Sequence, residues 1–313
     1  MFLRYGVNEN NALVGIGEVS SGKTSLRCPY CEDKLRAKKG KIKEHHFAHQ
    51  GQTCLIVTRG KIPSLPLYDN FHIQLSVKEL DELKVFWNNY GARNYDICVK
   101  PSWRLVSSKL LAFNEERGGF YEFTSLGKIP VGALPLRLFN EVQEPLLREQ
   151  LSQLEQKAER AQLASLSTLP ERLADLQIYR ALFKRVLTNT LYFLEIVADG
   201  QIFHKIGVTG REIEQRVKEV YRDLNSHFKG VTIEVLGTWE HRGNVELYFK
   251  HRYKEFNYKI GTLTEYFKFD NVNSVLRDLR QMKPKVLTQA EVDILSLGRS
   301  STVTSLSKPG IER

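Results

Sequence analysis

The stretch of sequence that decides the fold is residues 191–209, LYFLEIVADGQIFHKIGVT. Apolar, aromatic and β-branched residues, which favour strands, stand on both sides of the pair Asp199-Gly200. An Asp-Gly pair between two such runs is typical of a two-residue hairpin turn. The sequence therefore predicts a strand over residues 191–197, antiparallel to a second strand over residues 202–208.

The residues that follow continue with alternating helix and strand patterns. Apolar residues spaced three and four apart predict a helix over residues 213–224, followed by a third strand over residues 231–239. A further helix is expected over residues 244–258. Thr288 and Glu291 have the spacing of a capping box, which predicts a short helix over residues 288–297. The Ser/Thr-rich residues after Gly298 are expected to be disordered.

A helical segment precedes this hairpin. Apolar or small residues recur in steps of three and four at Leu147, Leu151, Leu154, Ala158 and Ala161, as in an amphipathic helix with a coiled-coil-like seam. Two to three heptads are short for a stand-alone coiled coil, so a spacer that packs on a partner helix is expected. Self-association through residues 145–166 is an open alternative. A second helix is predicted from Thr168 to near Leu187, with proline in its first turn.

Cysteine and histidine residues cluster near the N-terminus, after two predicted strands over residues 11–19 and 24–27. Cys28 and Cys31 form a CxxC pair, and His46 and His49 follow. With no visible export signal, this clustering favours metal over disulfides. We expect these four residues to hold a structural Zn²⁺ in a tetrahedral site. Two alternatives stay open: Cys54 in place of either histidine, and His45 as a further candidate.

The charge of the chain points to nucleic acid as a partner. The net charge is +10 and the pI is near 9.3, and such a surplus attracts polyanions. Cations are dense between the cysteine pair and the histidine pair: Lys34, Arg36, Lys38, Lys39, Lys41 and Lys43. The Cys-Pro-x-Cys and His-Phe-Ala-His pattern resembles the N-terminal module of CoiA-like competence proteins. That resemblance implies a zinc-binding module followed by a nuclease domain.

The hairpin and its surroundings resemble the GIY-YIG nuclease superfamily. Residues 191–194 and 205–207 are similar to the two half-motifs that name it. Residues 205–209, with Arg216 in the next helix, look most like its T5orf172 and MUG113 branch, in which a lysine commonly replaces the second tyrosine. Residues 264–267 resemble the Glu-aromatic-Phe element that closes the domain. The late asparagine of many members has no clear counterpart.

This resemblance implies an α/β/α domain with a three-stranded antiparallel sheet and the activity of an endonuclease that cuts DNA with Mg²⁺ or Mn²⁺. Glu246 would be the ligand of that metal, and Arg216 would face the charge that develops on the phosphate. Tyr192 would accept a proton from the attacking water. Because a phenol is a weak base at neutral pH, Lys205 is expected to stabilise its ionised form.

A match to the phosphate-binding Walker A pattern occurs at residues 17–24, ending in Gly22-Lys23-Thr24. That pattern works only where a helix follows the loop, because the backbone amides at the helix start cradle phosphate. Cys28 and Pro29 follow so closely that no helix fits. We therefore interpret these residues as a hairpin turn.

Together these observations predict an α+β multidomain chain. Its parts are a zinc-binding module at residues 1–60, an α+β region of unassigned role at 61–140, a helical spacer at 141–188, the nuclease domain at 189–284, and a short helix with a tail at 285–313. No apolar stretch approaches the roughly 20 residues of a membrane span, so a cytoplasmic, soluble protein is expected. Alternatives are a non-catalytic nucleic-acid-binding protein that retains the nuclease fold, and an RNA-directed nuclease.

Overall fold

The computed structural model describes residues 2–40, 43–116 and 118–296. Within these residues the strands are β1 (Tyr5–Val7), β2 (Leu13–Gly15), β3 (Gly22–Arg27), β4 (Lys34–Lys38), β5 (His46–His49), β6 (Leu111–Asn114), β7 (Phe120–Phe123), β8 (Thr190–Ala198), β9 (Gln201–Thr209), β10 (Val231–Trp239), β11 (Asn257–Ile260) and β12 (Leu263–Phe267). The α-helices are α1 (Leu55–Thr58), α2 (Val77–Asn89), α3 (Trp103–Ser107), α4 (Ser125–Lys128), α5 (Leu136–Leu163), α6 (Leu169–Thr188), α7 (Ile213–Asn225), α8 (Val245–Arg252), α9 (Val272–Arg280) and α10 (Gln289–Ser296).

Some of the predictions concern residues that the structure does not describe. Leu297, the segment after Gly298 that was expected to be disordered, and Lys41 of the basic run lie outside the described residues. In the described ranges, none of the helices has both the length and the apolar character that crossing a membrane requires.

The N-terminal module is a five-stranded antiparallel sheet in the order β2-β1-β3-β4-β5. The strand predicted over residues 11–19 is shorter than expected, because a 3-10 turn occupies Ile16–Glu18. The Glu18 side chain fixes this turn by accepting a hydrogen bond from the Gly15 amide at 2.8 Å. Lys23 and Thr24 lie inside β3, so a strand stands where a Walker A loop would need a helix.

The central region has its own apolar core and an antiparallel hairpin of β6 and β7. Helix α2 begins with a full capping box, in which the Ser76 amide donates to the Glu79 carboxylate at 2.7 Å. Phe71, which precedes α2, packs against Phe139 of α5 and Tyr248 of α8. The central region is therefore anchored to the C-terminal core.

Helices α5 and α6 pack on each other along the predicted apolar seam. Leu147, Leu151, Leu154 and Ala158 share one apolar cluster with the buried face of α6. The Tyr179 hydroxyl of α6 donates to the Leu147 carbonyl at 2.7 Å. The seam is thus buried within the chain. Helix α5 also begins well before Pro145, at Leu136, whose amide donates to the Asp278 carboxylate at 2.9 Å.

The C-terminal sheet has five antiparallel strands in the order β10-β8-β9-β12-β11, so the prediction of three strands was incomplete. The predicted hairpin and third strand are its first three strands. The helix expected to reach residue 258 ends at Arg252, and the chain then forms a second hairpin around Gly261. Gly261 has a φ of +56°, which favours glycine, and this turn lets β12 pair with β9.

The two faces of this sheet are covered by different helices. Helix α7 packs Val220 and Leu224 on one face, against an apolar cluster that includes Tyr192. Helices α8 and α9 and the first turns of α5 cover the other face. Tyr192 and the start of α7 therefore meet at one sheet surface, while Glu246 approaches from the first turn of α8.

Candidate functional site

The Tyr192 side chain occupies space that Gly207, its neighbour on the next strand, leaves free. It lies directly opposite Gly207 in the register of β8 and β9 and is fully buried. A Cβ atom on residue 207 would overlap the hydroxyl end of the tyrosine ring. The absence of a side chain at Gly207 therefore creates the space that the phenol occupies.

The Tyr192 hydroxyl has a cationic partner on α7. Arg216 donates from Nε to this oxygen at 3.0 Å, and its Nη1 donates to Glu219 at 2.7 Å. Burial raises the pKa of Tyr192, and the hydrogen bond from Arg216 opposes part of that rise. Burial alone would lower the pKa of Arg216, but its bonds to Tyr192 and Glu219 outweigh this and raise it. The guanidinium therefore remains charged beside the phenol.

A chain of alternating charges runs beside this pair. Glu265 on β12 accepts from Lys205 Nζ through one carboxylate oxygen and from Lys250 Nζ through the other, both at 2.8 Å. Lys250 also contacts Glu246 Oε1 at 3.0 Å, one helical turn away on α8. Lys205 lies over the Tyr266 ring, 4.6 Å from its centroid. Two lysines and two carboxylates thus form one connected network.

The network shifts the pKa values of its members. Burial would raise the pKa of Glu265, but Lys205 and Lys250 hold it down to about 2. Burial lowers the pKa of Lys205, although Glu265 opposes this. For Lys250, burial acts to lower the pKa, yet Glu246 and Glu265 together raise it. At neutral pH, Glu265 is therefore ionised.

Tyr192, Lys205, Arg216 and Glu246 were predicted from the sequence as catalytic residues. The partner of the Tyr192 hydroxyl differs from the one expected. Lys205 was expected to stabilise the phenolate of Tyr192, but the cation on that hydroxyl is Arg216, whereas Lys205 is bonded to Glu265. Glu246 joins the group through Lys250.

Sequence reasoning gave no role to Lys250 or Glu265. The i,i+4 spacing of Glu246 and Lys250 was a signal for Lys250. For Glu265, the signal was its place in the closing element at residues 264–267.

A second cluster lies in the N-terminal module, where the ligand atoms of Cys28, Cys31, His49 and Cys54 all lie within 4.8 Å of one another. The Cys28 carbonyl accepts from the Glu32 amide at 3.0 Å, which closes the turn between the first two thiols. Cys31 Sγ is 3.3 Å from His49 Nε2. In a tetrahedral site with Zn–S of about 2.3 Å and Zn–N of about 2.0 Å, ligand atoms are separated by roughly 3.5–3.8 Å. Three thiols and an imidazole grouped this closely are a donor set that fits Zn²⁺.

His46 is not part of this cluster, contrary to the first of the ligand sets considered. Both histidines belong to β5, where residues three apart point to opposite faces of the sheet. His49 points inward, whereas the His46 ring donates from Nδ1 to the Glu44 carbonyl at 2.7 Å and stacks on Phe2. The structure brings Cys54 to the cluster instead, which was one of the open alternatives.

Burial explains the protonation of the clustered groups. It raises the pKa of Cys28, and it raises that of Cys31 to about 12. It also lowers the pKa of His49, so the imidazole is neutral and can act as a ligand. Metal binding to such thiols requires their deprotonation, so it becomes tighter as the pH rises.

Comparison with known families gives two matches on separate parts of the chain. Residues 17–56 match the N-terminal domain of competence protein CoiA, and residues 189–283 match the T5orf172 domain. The first match covers three of the clustered cysteines together with His49, and the second covers the five-stranded sheet with Tyr192, Arg216 and Glu246. Searches of curated proteins and of solved structures each gave no match. The two similarities point to a nucleic-acid-binding or nuclease-like protein.

Proposed function

We propose that the chain is a metal-dependent endonuclease of the GIY-YIG type that hydrolyses phosphodiester bonds in DNA. The observation that carries this proposal is the 3.0 Å contact from Arg216 Nε to the Tyr192 hydroxyl, within the stretch similar to the T5orf172 domain. Glu246 adds a carboxylate, which is linked through Lys250 and Glu265 to Lys205. A proton acceptor, a fixed cation and a metal-binding carboxylate are the groups that phosphodiester hydrolysis needs.

Tyr192 takes the proton of the attacking water. Its pKa is raised by burial, so the phenolate is a small fraction at neutral pH, and Arg216 increases that fraction by donating to the oxygen. The remaining N–H groups of the guanidinium face the negative charge that develops on the phosphate. The rate should therefore depend on Arg216 in two ways, through the base and through the phosphate.

Glu246 holds the divalent cation. One protein carboxylate, completed by water and phosphate oxygens, is a usual arrangement for Mg²⁺, and the Glu246 side chain keeps 14% of its surface exposed. When bound, the ion polarises the phosphate and stabilises the leaving oxygen. Lys250 shares the same carboxylate, so it limits the affinity for the ion.

Glu265 positions the two lysines. Its bonds to Lys205 and Lys250 fix both ammonium groups, and Lys250 in turn contacts Glu246. Lys205 is nearly buried, with 5% of its side chain exposed, and a buried ammonium without a partner is unstable. Glu265 is therefore a positioning residue.

The N-terminal cluster binds Zn²⁺ in a structural role. The four protein ligands Cys28, Cys31, His49 and Cys54 would fill a tetrahedral site, which leaves no position for a reacting water. The ion would join the turn after β3, the end of β5 and the start of α1, because the ligands come from these three places.

A second candidate function is nucleic-acid binding without cleavage. The observation that favours it is the contact of Lys250 with Glu246, since an ammonium group already neutralises the only carboxylate assigned to the metal. In this case the sheet would bind the backbone through Arg216 and Lys250 alone.

A cleavage assay separates these functions. Purified protein is incubated with labelled duplex DNA, single-stranded DNA and RNA of one sequence, with Mg²⁺ or with Mn²⁺. We expect metal-dependent DNA cleavage that falls about 10²- to 10⁴-fold in Tyr192→Phe. Binding of DNA without cleavage in either metal would favour the second function. Cleavage of RNA alone would show that the substrate class is wrong.

A further inference from the structure

One face of the N-terminal sheet carries only basic and neutral side chains. Alternate residues of β4 are buried, Leu35 and Ala37, so the other three point outward. With the outward residues of β3, they form a set that we name the basic face: Lys23, Arg27, Lys34, Arg36 and Lys38. Strands β3, β4 and β5 contain no aspartate or glutamate.

The basic face places like charges directly opposite each other. In the register of β3 and β4, Lys23 pairs with Arg36 and Arg27 pairs with Lys34. Such cross-strand pairs of equal sign destabilise a sheet. Among the described residues, Arg27 is the one member of the basic face that has a carboxylate within ion-pair distance, Glu32 at 3.5 Å. The arrangement costs stability in the free protein, and a bound polyanion would relieve the repulsion.

An aromatic pair lies at the edge of this face. Lys38 on β4 is opposite His46 on β5, and the Phe2 ring stacks on the His46 ring with centroids 4.4 Å apart. The bond from His46 Nδ1 to the Glu44 carbonyl fixes the orientation of the imidazole. Phe2 remains 42% exposed although it is a large apolar residue. One flat ring is thus presented to solvent beside a row of cations.

We propose that the basic face binds a single-stranded nucleic acid, with phosphates along Lys23, Lys34, Arg36 and Lys38 and one base stacked on Phe2. Cations that follow the backbone, combined with an exposed aromatic ring that accepts a base, are the features of single-strand recognition. A duplex keeps its base faces stacked inside the helix, so it would leave Phe2 without a partner. Lys23, the lysine of the Walker A pattern at residues 17–24, would then contact a phosphate of the strand.

This inference extends the proposed nuclease function, because the basic face would deliver the strand to the C-terminal sheet. The surface is distinct from the Tyr192 site, since it belongs to another sheet. Binding at the basic face can therefore be measured without cleavage.

The test is binding of a fluorescent oligothymidylate by the full chain, without Mg²⁺, Mn²⁺ or chelator, over a range of salt concentrations. Phe2→Ala should weaken binding by about 5- to 150-fold, and Phe2→Trp should retain it. The double variant Lys23→Ala, Arg36→Ala should reduce the slope of log affinity against log salt by about 1.4, since each phosphate contact on a single strand contributes about 0.7. The matched control removes Lys78 and Lys100, two exposed lysines of the central region.

The outcomes separate this inference from the nuclease proposal. Equal affinities for the wild type, Phe2→Ala and the double lysine-arginine variant would overturn the inference, whether or not the protein cleaves DNA. The inference would also be overturned if the protein preferred duplex to single-stranded DNA and Phe2→Ala left this preference unchanged. Loss of cleavage in Glu246→Ala with unchanged oligothymidylate binding would support both. An inactive wild type that binds as described would leave the inference standing and remove the nuclease proposal.

Discussion

Arg216 Nε lies 3.0 Å from the hydroxyl oxygen of Tyr192, and this contact joins helix α7 to strand β8 of the C-terminal sheet. The bond is between a fixed cation and a buried phenol, and it acts against the rise in pKa that burial causes. A lysine, Lys205, was expected in that position from the sequence. The difference has consequences for how the protein should respond to mutation and to pH.

Replacement of Arg216 should change the pH dependence of cleavage as well as its rate. Arg216→Lys keeps a positive charge but loses the planar donor, so we expect a loss of about 10²- to 10³-fold in kcat. Because Arg216 lowers the pKa of Tyr192, its loss raises that pKa, and the rise of the rate with pH should move to higher pH. Rates measured from pH 6 to 11 check this, because the pKa of Tyr192 lies above its ordinary value of 10. A lower rate with an unshifted profile would mean that Arg216 does not act on Tyr192.

Gly207→Ala should impair activity by displacing the tyrosine. The added Cβ would overlap the Tyr192 hydroxyl, and such overpacking typically costs about 1–3 kcal/mol of stability. We expect a lower Tm together with a loss of cleavage. Gly230→Ala is the matched control, because the nearest atom to its Cβ is 3.8 Å away, an ordinary contact. Full activity in Gly207→Ala would show that the position of Tyr192 is not important.

Acid should weaken the fold through Glu265. Its pKa falls from 4.5 to about 2 on folding, because Lys205 and Lys250 outweigh the effect of burial. A carboxyl group with a depressed folded pKa stabilises the fold above its unfolded pKa, and this stability is lost as the pH falls from about 4.5 to about 2. Chemical denaturation at several pH values should show a smaller acid loss for Glu265→Gln than for the wild type. Equal slopes in that pH window would contradict the network.

The geometry of the N-terminal cluster indicates that Cys54 and His49, and not His46, are zinc ligands. Metal analysis of purified protein should give one Zn²⁺ per chain, lost in His49→Ala and in Cys54→Ser but retained in His46→Ala. Removal of the ion should lower the Tm, because binding to the folded state alone stabilises it. Loss of zinc in His46→Ala with retention in Cys54→Ser would restore the ligand set expected from the CxxC and HxxH spacing.

The part of the fold that could be predicted is the part set by local chemistry. The strands on both sides of Asp199-Gly200 were placed within one residue at each end, since Asp199 and Gly200 both adopt positive φ in the turn. The second hairpin, around Gly261, was missed because its strands are only four and five residues long and the first of them follows a 3-10 turn at Lys254–Phe256. Short strands of this kind are stabilised by their partner, here β9, which no local pattern reveals.

The order of motifs gave candidate residues for the site but not their pairings. Tyr192, Arg216 and Glu246 remain predicted site residues, whereas the partner of Lys205 is Glu265, sixty residues further along the chain. The assignment of His46 failed because a spacing of three residues joins side chains on a helix and separates them on a strand. The sheet register, in which the buried Leu35 lies opposite His49, decides which histidine points inward.

The most direct test of the central claim is the single-turnover rate of DNA cleavage with Mn²⁺ for the wild type, Glu246→Ala and Glu240→Ala. Glu240 is an exposed glutamate near the end of β10 and serves as the control. We predict metal-dependent cleavage by the wild type and by Glu240→Ala, and a loss of at least about 10²-fold in Glu246→Ala, which would lack the carboxylate assigned to the metal. Equal rates for all three proteins, or no cleavage by a wild type that binds the same DNA, would contradict the account.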